Sequence, residues 1–188
     1  MQFLLSLTAL FALATTISTV AVDPAASTVA WTGYKVTGSH EGTIDIKSGS
    51  LEFDGDRLTG GRFVIDMGTI AVTDITGEYA DKLRGHLVSG DFFGVTDHPE
   101  ATLVITDVQA GKAGKYTVTG DLTVKSITKP VTFGTTVYQV DGKRIAEADI
   151  TVDRSAYDVR YGSGSFFDDL GDKTIYDEFD LSVKLVSK

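Results

Sequence analysis

The sequence predicts an all-β protein, an eight-stranded antiparallel up-and-down barrel with one short helix that caps an end. Composition is the first reason, because the 188 residues include 20 glycines and only 3 prolines, while threonine and valine are plentiful and helical periodicity is scarce. The second reason is a series of segments in which apolar and polar residues alternate. The third is the turn signals between them, since strands joined by hairpins are antiparallel neighbours and close most simply as a barrel.

Eight segments have the alternation of strands, and the clearest is 115–125. Its residues Tyr116, Val118, Gly120, Leu122 and Val124 alternate with polar residues, so one face of the strand is buried and the other faces water. The eight predicted strands span residues 28–36, 41–53, 57–67, 101–109, 115–125, 130–140, 143–154 and 176–187.

Short connections between these strands carry explicit turn residues. The pairs Asp54-Gly55 and Asp141-Gly142 each separate two apolar runs, which is the strongest short-range signal of a hairpin. The segment 110–114, with two glycines, predicts a longer loop between two neighbouring strands.

Two connections are too long for hairpins. The first follows the third predicted strand and contains 78–88, where Tyr79, Leu83 and Leu87 recur with helical spacing. We expect this helix to lie across a barrel end. The second connection, 155–175, is rich in glycine, serine and aromatic residues. Long aromatic loops of compact domains are often functional, so this segment is a candidate lid.

The first 21 residues resemble a secretory signal peptide. Residues 1–22 carry no charged side chain, and an apolar run at 3–14 precedes the small residues Thr19 and Ala21 and a cut near Val22. The Lys or Arg that usually begins such a signal is missing, and an uncleaved membrane-surface anchor is the alternative. The predicted organisation is therefore a signal peptide at 1–21 and one periplasmic or secreted domain at 22–188.

Charge and cysteine usage narrow the range of partners. The formal net charge is -9 and the basic residues are scattered, which argues against nucleic acid and against an anionic membrane surface as partners. The chain contains no cysteine, which excludes a lipoprotein anchor, disulfides and thiol chemistry. The apolar run at 3–14 is too short to span a bilayer, so we expect no stable membrane insertion. A homodimer is compatible with the sequence.

The apolar face of the barrel could point inward, around a ligand, or outward, as in a small outer-membrane barrel. Five charged residues lie opposite the apolar faces and fit both arrangements: Asp121, Lys125, Glu147, Asp149 and Asp153. Outer-membrane barrels carry aromatic girdles at both strand ends. Here the aromatic residues cluster in the two long connections, and the chain ends in Lys188 rather than in an aromatic residue. We therefore expect the apolar face to point inward.

The inward face then includes two small residues. The last strand places Phe179, Leu181, Val183 and Leu185 inside, and the seventh contributes Ala146, Ala148, Ile150, Val152 and Arg154. A barrel of eight strands either fills with side chains or holds one slender ligand. Ala146 and Ala148 favour a cavity, and a filled core is the alternative. A buried guanidinium at Arg154 needs a carboxylate or an anionic ligand head; an ion pair with Asp158 or Asp153 is favoured over contact with a head group.

The sequence contains no nucleophile elbow, phosphate-binding loop, dinucleotide fingerprint or zinc-protease motif. The segment 162–165 lacks the spacing of a nucleophile elbow and predicts a flexible turn. The three histidines, His40, His86 and His98, lack metal-ligand spacing, and the acidic segment 168–172 lacks the spacing of an EF-hand loop. We therefore expect neither catalytic activity nor a metal or cofactor.

Several motifs together resemble the YceI-like family over about the whole chain after residue 21. They are LR at 83–84, SGDFF at 89–93, HPEATL at 98–103, GDLTVK at 120–125, TKPV at 128–131, DRSAY at 153–157, GSGSFF at 162–167 and GD at 171–172. One departure is Ser126, where the family usually has glycine, so the shape of that turn is in doubt. The turn lies far from the expected ligand.

The resemblance implies an exported, lipocalin-like barrel that binds a long amphiphilic isoprenoid lipid, of the polyprenyl phosphate or quinone type, in a tunnel along its axis. Such a protein is not expected to be an enzyme. The candidate lining residues are Trp31, Phe63, Phe92, Phe93, Val118, Leu122, Phe133, Ile150, Leu181 and Val183, with Arg154 near the head group and Phe166 and Phe167 as lid residues. The set, rather than any one member, is the hypothesis.

Overall fold

The computed structural model describes residues 16–188, which form nine strands and one α-helix in that range. The strands are β1 (Ile17–Ala21), β2 (Thr28–Lys35), β3 (Gly38–Asp54), β4 (Arg57–Val72), β5 (Glu100–Ala110), β6 (Lys115–Val124), β7 (Ile127–Val140), β8 (Lys143–Asp153) and β9 (Ile175–Val186), and the helix is α1 (Glu78–Val88). Two short 3-10 turns, Arg154–Tyr157 and Gly171–Lys173, lie between β8 and β9.

Strands β2 to β9 form a closed antiparallel barrel, so the predicted eight-stranded architecture is confirmed. Each of these strands pairs with the next one along the chain, and β4 and β5 pair directly although α1 lies between them in sequence. Pairing of β9 with β2 closes the cylinder. Apolar and polar residues alternate along each strand, so each strand buries only one face. A closed barrel turns these apolar faces toward a common interior.

Strand β1 was not predicted. It pairs with the second half of β3, from Ile17 opposite Asp54 to Ala21 opposite Ser50, while β2 pairs with the first half of β3. These five residues belong to the segment predicted as the end of a signal peptide. The rest of that predicted segment, residues 1–15, lies outside the described part of the chain.

The two longest strands exceed their predicted bounds. β3 begins at Gly38 and β4 ends at Val72, and their pairing contains three register shifts. Such bulges bend and coil a hairpin, which lets both strands continue around the barrel. β8 instead ends at Asp153, one residue early, because the Asp153 side chain accepts a hydrogen bond from the Ser155 N–H and starts a 3-10 turn.

The predicted hairpin turns form. Asp141 and Gly142 both have positive φ, at 51° and 79°, the pattern of a type I′ turn. Lys125 and Ser126 adopt the same pattern between β6 and β7, at 48° and 63°. Ser126 therefore takes the backbone conformation that glycine adopts readily, and the turn remains a regular two-residue hairpin.

Helix α1 has the predicted bounds and packs on β4. The Arg84 side chain fixes it there by donating hydrogen bonds to the carbonyls of Ile70 and Gly68, at 3.0 and 2.9 Å. Leu87 is buried, but Tyr79, predicted to share its face, is 77% exposed. Tyr79 lies in the first turn of the helix, and only the last turns cover the barrel. In the described residues, no helix has the length and apolar character needed to cross a membrane.

The barrel interior is packed at one end. Phe53 and Leu58, at the β3–β4 hairpin, are buried together with Leu51 and Val22. The Arg144 guanidinium lies 3.9 Å from the centre of the Phe53 ring and donates a hydrogen bond to the Gly55 carbonyl. This end of the barrel is closed by side chains.

Candidate functional site: the barrel interior

A cavity of about 360 Å³ lies inside the barrel. This volume falls within the range of about 300–1,000 Å³ that small-molecule sites usually have. The walls are built from alternate residues of the strands, and one end is covered by α1 through Leu83, His86 and Leu87. Because nearly all of the lining side chains are aliphatic or aromatic, the cavity suits an apolar ligand.

The inward-facing prediction is confirmed for the last two strands. Phe179, Leu181, Val183 and Leu185 of β9 and Ala146, Ala148 and Ile150 of β8 all line the cavity. Val152 is buried but lies outside the lining.

The structure brings most of the candidate site residues to this cavity. Those that line it are Trp31, Phe63, Phe92, Phe93, Val118, Leu122, Phe133, Ile150, Arg154, Leu181 and Val183. Phe166 and Phe167, the candidate lid residues, lie on the surface at 41% and 50% exposure and do not line the cavity. The Arg160 guanidinium lies 5.0 Å from the Phe166 ring centre.

Sequence reasoning missed part of the wall. The additional apolar lining residues include Val29, Ile44, Ile46, Ile65, Met67, Ile70, Leu103 and Ile105. Their period-two spacing along β3, β4 and β5 was a usable signal. The polar lining residues Tyr34, Lys35 and Glu178 gave none, because they reach the cavity only through the way β2 and β9 pair.

Several inward-facing side chains are not fully buried, although they lie inside the barrel. Leu122, Phe133, Leu181 and Val183 are half-buried, whereas Val118 on the same wall is buried. Side chains in a filled core contact neighbours on all sides. The half-buried state of these residues reflects open space at the centre of the barrel.

Ala146 and Ala148 help to create that space. Both lie on β8 with side chains toward the interior, and Ala148 faces the cavity while remaining half-buried. Larger side chains line the cavity on other strands, such as Phe63 on β4 across the barrel and Phe133 on the neighbouring strand β7. Small residues at these two positions leave the room that larger ones would fill, as predicted.

Arg154 is 3% exposed and is held by the segment that it supports. Its guanidinium donates to the backbone carbonyls of Val159 at 2.7 Å, Ile175 at 2.9 Å and Tyr176 at 3.0 Å. Nη2 also lies 3.4 Å from Oδ1 of Asp177. Most of the N–H groups of this side chain therefore have protein partners.

The carboxylate partner of Arg154 differs from both expected residues. Asp158 pairs with Arg160, and the Asp153 side chain accepts from Ser155, so neither binds the guanidinium. Burial lowers the pKa of Arg154, while the charges of Asp177 and Asp153 act in the opposite direction. The ring centre of Phe92 lies 5.3 Å from the guanidinium carbon, so the cation also contacts the cavity wall.

Two histidines lie at the cavity. His86 packs edge-on against Tyr161 and Phe92, with ring centres 4.2 and 5.4 Å away, and its Nε2 has no hydrogen-bond partner among residues 16–188. His40 Nδ1 lies 2.8 Å from Oδ2 of Asp74. Burial raises the pKa of Asp74, but hydrogen bonds from His40 and from the Glu41 N–H outweigh it, so the pKa is lowered.

The described residues contain no cluster of three or more His, Cys, Asp or Glu side chains that could hold a metal ion. His98 instead contacts Ser126, with Nδ1 3.1 Å from Oγ, and the carboxylates of the 168–172 segment are exposed. The polar groups near the cavity are therefore arranged as isolated pairs.

Comparison with known proteins identifies a matching family and similar proteins. The YceI-like domain family matches residues 21–187. A UPF0312 protein of Pseudomonas putida strain GB-1 is 34% identical over 102 residues, which cover 54% of this chain and 50% of the relative. A UPF0312 protein of Vibrio parahaemolyticus is 36% identical over 97 residues, 50% of this chain and 51% of the relative. The chain thus matches about half the length of these curated relatives.

Solved structures share the fold. BcnA of Burkholderia cenocepacia superposes with a TM-score of 0.73 at 25% identity, covering 89% of this chain and 99% of that protein. A polyisoprenoid-binding domain from Saccharophagus degradans gives 0.67 at 13% identity, over 92% of this chain and 99% of that domain. A YceI protein of Campylobacter jejuni gives 0.59 at 17% identity, over 77% and 84%.

Proposed function

The chain belongs to the YceI-like family, and on that premise we propose that it is an exported, non-catalytic binding protein for a long isoprenoid lipid. The lipid, of the polyprenyl phosphate or quinone type, would occupy the barrel cavity. The observation that carries the proposal is an apolar cavity of about 360 Å³ within a closed barrel. The fold is shared with a polyisoprenoid-binding domain from Saccharophagus degradans.

The chemistry of an isoprenoid tail matches the walls of this cavity. Burial of apolar surface contributes roughly 25 cal/mol per Å², without directional contacts. A methyl-branched chain offers only such surface, and the cavity lining offers aliphatic and aromatic side chains such as Leu122, Phe133 and Leu181. A tail of several isoprenoid units can therefore gain affinity from area alone.

The polar groups that reach the cavity support a binding role rather than catalysis. Arg154 binds three backbone carbonyls, and His40 is paired with Asp74. His86 contacts aromatic rings on two sides. General acid–base or nucleophilic catalysis needs a reactive group and an orienting partner that both face the substrate. Arg154 and His86 are instead held against the wall of the barrel by these contacts.

Export is part of the proposal. The uncharged segment at 1–21 has the apolar run and small residues of a signal peptide, which suits a periplasmic or secreted carrier. A lipid with a long tail needs a protein to cross an aqueous compartment, and an interior cavity provides the required shielding from water.

The test is native mass spectrometry of the protein purified from an exporting host, followed by organic extraction. A stoichiometric adduct that extracts as a polyprenyl or quinone species would support the proposal and identify the class of cargo. An apo mass that does not change after incubation with such lipids would contradict it and favour a secreted interaction domain without a ligand.

A further inference from the structure

Both ends of the barrel are covered. Side chains around Phe53 and Leu58 close one end, and α1 covers the other through Leu83 and Leu87, next to Phe92. A long lipid nevertheless needs a path between the cavity and the solvent. The wall between β2 and β9 provides one.

The pairing of β2 with β9 is interrupted near one end. Gly33 pairs with Phe179, but the next pair is Lys35 with Ile175, so a step of two residues on β2 corresponds to a step of four on β9. Tyr176, Asp177 and Glu178 consequently have no register partner on β2. We call this interruption, bounded by residues 33–35 and 175–179, the β2–β9 gap.

The cavity extends into the β2–β9 gap. Gly33, Tyr34, Lys35, Tyr176 and Glu178 all line it, although the even-numbered positions of β9 otherwise face outward. A Cβ atom built on Gly33 has no atom within 4 Å, so the space beside this residue is open. Tyr176 is 52% exposed, which places the outer edge of the gap at the protein surface.

We propose that the β2–β9 gap is a side portal through which an isoprenoid lipid reaches the cavity, and that its head group lies in this portal and is uncharged. The inference rests on the proposed function, because it assigns a position and a chemical class to the head of the same ligand. A quinone or an alcohol has such a head, whereas a polyprenyl phosphate does not.

The charges around the gap carry the choice of head group. Arg154 is taken up by three carbonyls and Asp177, and His40 by Asp74. Lys35 and Glu178 both line the gap and have no ion pair among residues 16–188.

A carboxylate also lies beside the gap on its outer side. Asp180 accepts a hydrogen bond from the Tyr34 hydroxyl at 2.8 Å and adds a further negative charge. Asp177 is paired with Arg154, so the groups left at the gap are the carboxylates of Glu178 and Asp180 and the cation of Lys35. A phosphate in the gap would face net repulsion, and an uncharged head would not.

The portal can be tested with a single cysteine, because the chain has none of its own. Gly33→Cys places a thiol in the open space of the gap, and Gly134→Cys is the matched control. A Cβ atom built on Gly134 likewise has no atom within 4 Å, and this residue lies exposed on β7 away from the cavity. The probe is geranylgeraniol, an uncharged alcohol with four isoprenoid units.

Loading with the probe should slow modification of the Gly33→Cys thiol by a maleimide. At a free concentration of about 100 Kd, mass action gives protection of about 100-fold. The Gly134→Cys thiol should react at the same rate with and without the probe. Conversely, protein modified with a bulky maleimide at position 33 should no longer take up the probe, and protein modified at position 134 should take it up normally.

The experiment distinguishes failure of the portal proposal from failure of the proposed function. If unmodified Gly33→Cys and wild-type protein both fail to bind geranylgeraniol or any isoprenoid, the proposed function is wrong. If they bind it but loading does not protect the thiol and modification does not prevent uptake, the portal is overturned while the proposed function stands.

The head group is tested by comparing geranylgeraniol with geranylgeranyl phosphate, which have the same tail. The alcohol should bind more tightly to the wild-type protein. Glu178→Lys should raise the affinity for the phosphate, relative to that for the alcohol, several-fold. Glu52→Lys makes the same charge change on an exposed position of β3, away from the gap, and should alter neither affinity. A phosphate that binds wild-type protein at least as tightly as the alcohol would overturn the uncharged-head assignment.

Discussion

The indole ring of Trp31 lies over Gly42, its register partner on β3. A Cβ atom at position 42 would lie 2.5 Å from Cε2 of Trp31 and even closer to the carbonyl oxygen of Ala71. Only glycine fits between the indole and the neighbouring strand, and this fit holds Trp31 against one wall of the cavity. The position of a lining residue thus depends on the absence of a side chain on the next strand.

Gly42→Ala should destabilise the protein and displace Trp31. Overpacking of this kind usually costs about 1–3 kcal/mol, and here the contacts involve backbone as well as a ring. The free energy of unfolding in urea and the tryptophan emission spectrum, which reports only Trp31 in this chain, are the measurements. Gly134→Ala, at an open and exposed strand position, is the control and should change stability by less than about 0.5 kcal/mol. Equal effects at both positions would contradict the role of the Trp31–Gly42 contact.

Ala148→Phe should weaken lipid binding while the barrel still folds. Ala148 is half-buried and faces the cavity. A phenyl ring at this position would therefore fill open space rather than collide with packed neighbours. We expect isoprenoid affinity to fall at least about tenfold, equivalent to about 1.4 kcal/mol, measured by titration of the delipidated protein. The same change at Ala110, exposed at the end of β5, should leave affinity unchanged. Retained binding in Ala148→Phe would place the lipid elsewhere.

Arg154→Met should be strongly destabilising. It removes the donor to three backbone carbonyls and leaves Asp177 without its cation, and breaking a buried ion pair in this way costs about 3–5 kcal/mol. Urea unfolding gives the magnitude, and limited proteolysis should show faster cleavage within 155–175. Arg160→Met removes an exposed arginine of the same segment and should cost less than about 1 kcal/mol. If Arg154→Met also lowers the free energy of unfolding by less than about 1 kcal/mol, the contacts of Arg154 do not stabilise the fold as described.

Ser126→Gly should stabilise the protein. Ser126 has a φ of 63°, and the left-handed conformation costs a non-glycine residue about 1–2 kcal/mol. Loss of the exposed contact with His98 offsets part of the gain, so we expect about 1 kcal/mol in chemical denaturation. Ser182→Gly, in the extended backbone of β9, should instead destabilise by about 0.5–1 kcal/mol. A destabilising Ser126→Gly would mean that the His98 contact outweighs the strain.

Acid should weaken the link between β2, β8 and β9 at Asp180. Hydrogen bonds from the hydroxyls of Thr151 at 2.6 Å and Tyr34 at 2.8 Å lower the pKa of Asp180. A carboxyl whose pKa is lower in the folded state contributes stability above its unfolded pKa of about 3.9, and this contribution is lost as the pH falls through the folded pKa. Unfolding free energy measured from pH 7 downward should therefore fall less steeply in Asp180→Asn than in the wild type. If the free energy of unfolding falls equally steeply with pH in Asp180→Asn and in the wild type, this account is wrong.

The alternation of apolar and polar residues was sufficient to predict the barrel and much of its lining. A period of two places Val118 and Leu122 on the same face of β6, without knowledge of the neighbouring strands. It does the same for Leu181 and Val183 on β9. Turn residues then fixed the order of the strands, because Asp141-Gly142 accepts the positive φ values that a tight hairpin requires.

Features that depend on pairing between distant strands could not be predicted in this way. The β2–β9 gap arises from a register shift between strands at opposite ends of the sequence, and nothing local to Gly33 or Glu178 indicates it. The partner of Arg154 is Asp177, across a long loop, whereas sequence reasoning considered only nearby carboxylates. Tyr79 has helical spacing to Leu83 but lies in a turn of α1 that the barrel does not reach.

Strand β1 connects the proposed signal-peptide cleavage to the pairing of a sheet edge. A cut near Val22 would remove Ile17–Ala21 and leave residues 50–54 of β3 with unpaired N–H and C=O groups on that side. Such an edge is a template for strand addition from a second chain, whereas a cut before Ile17 would keep the edge covered from within. The site of cleavage would then set not only the length of the mature protein but also its tendency to associate with another copy of itself.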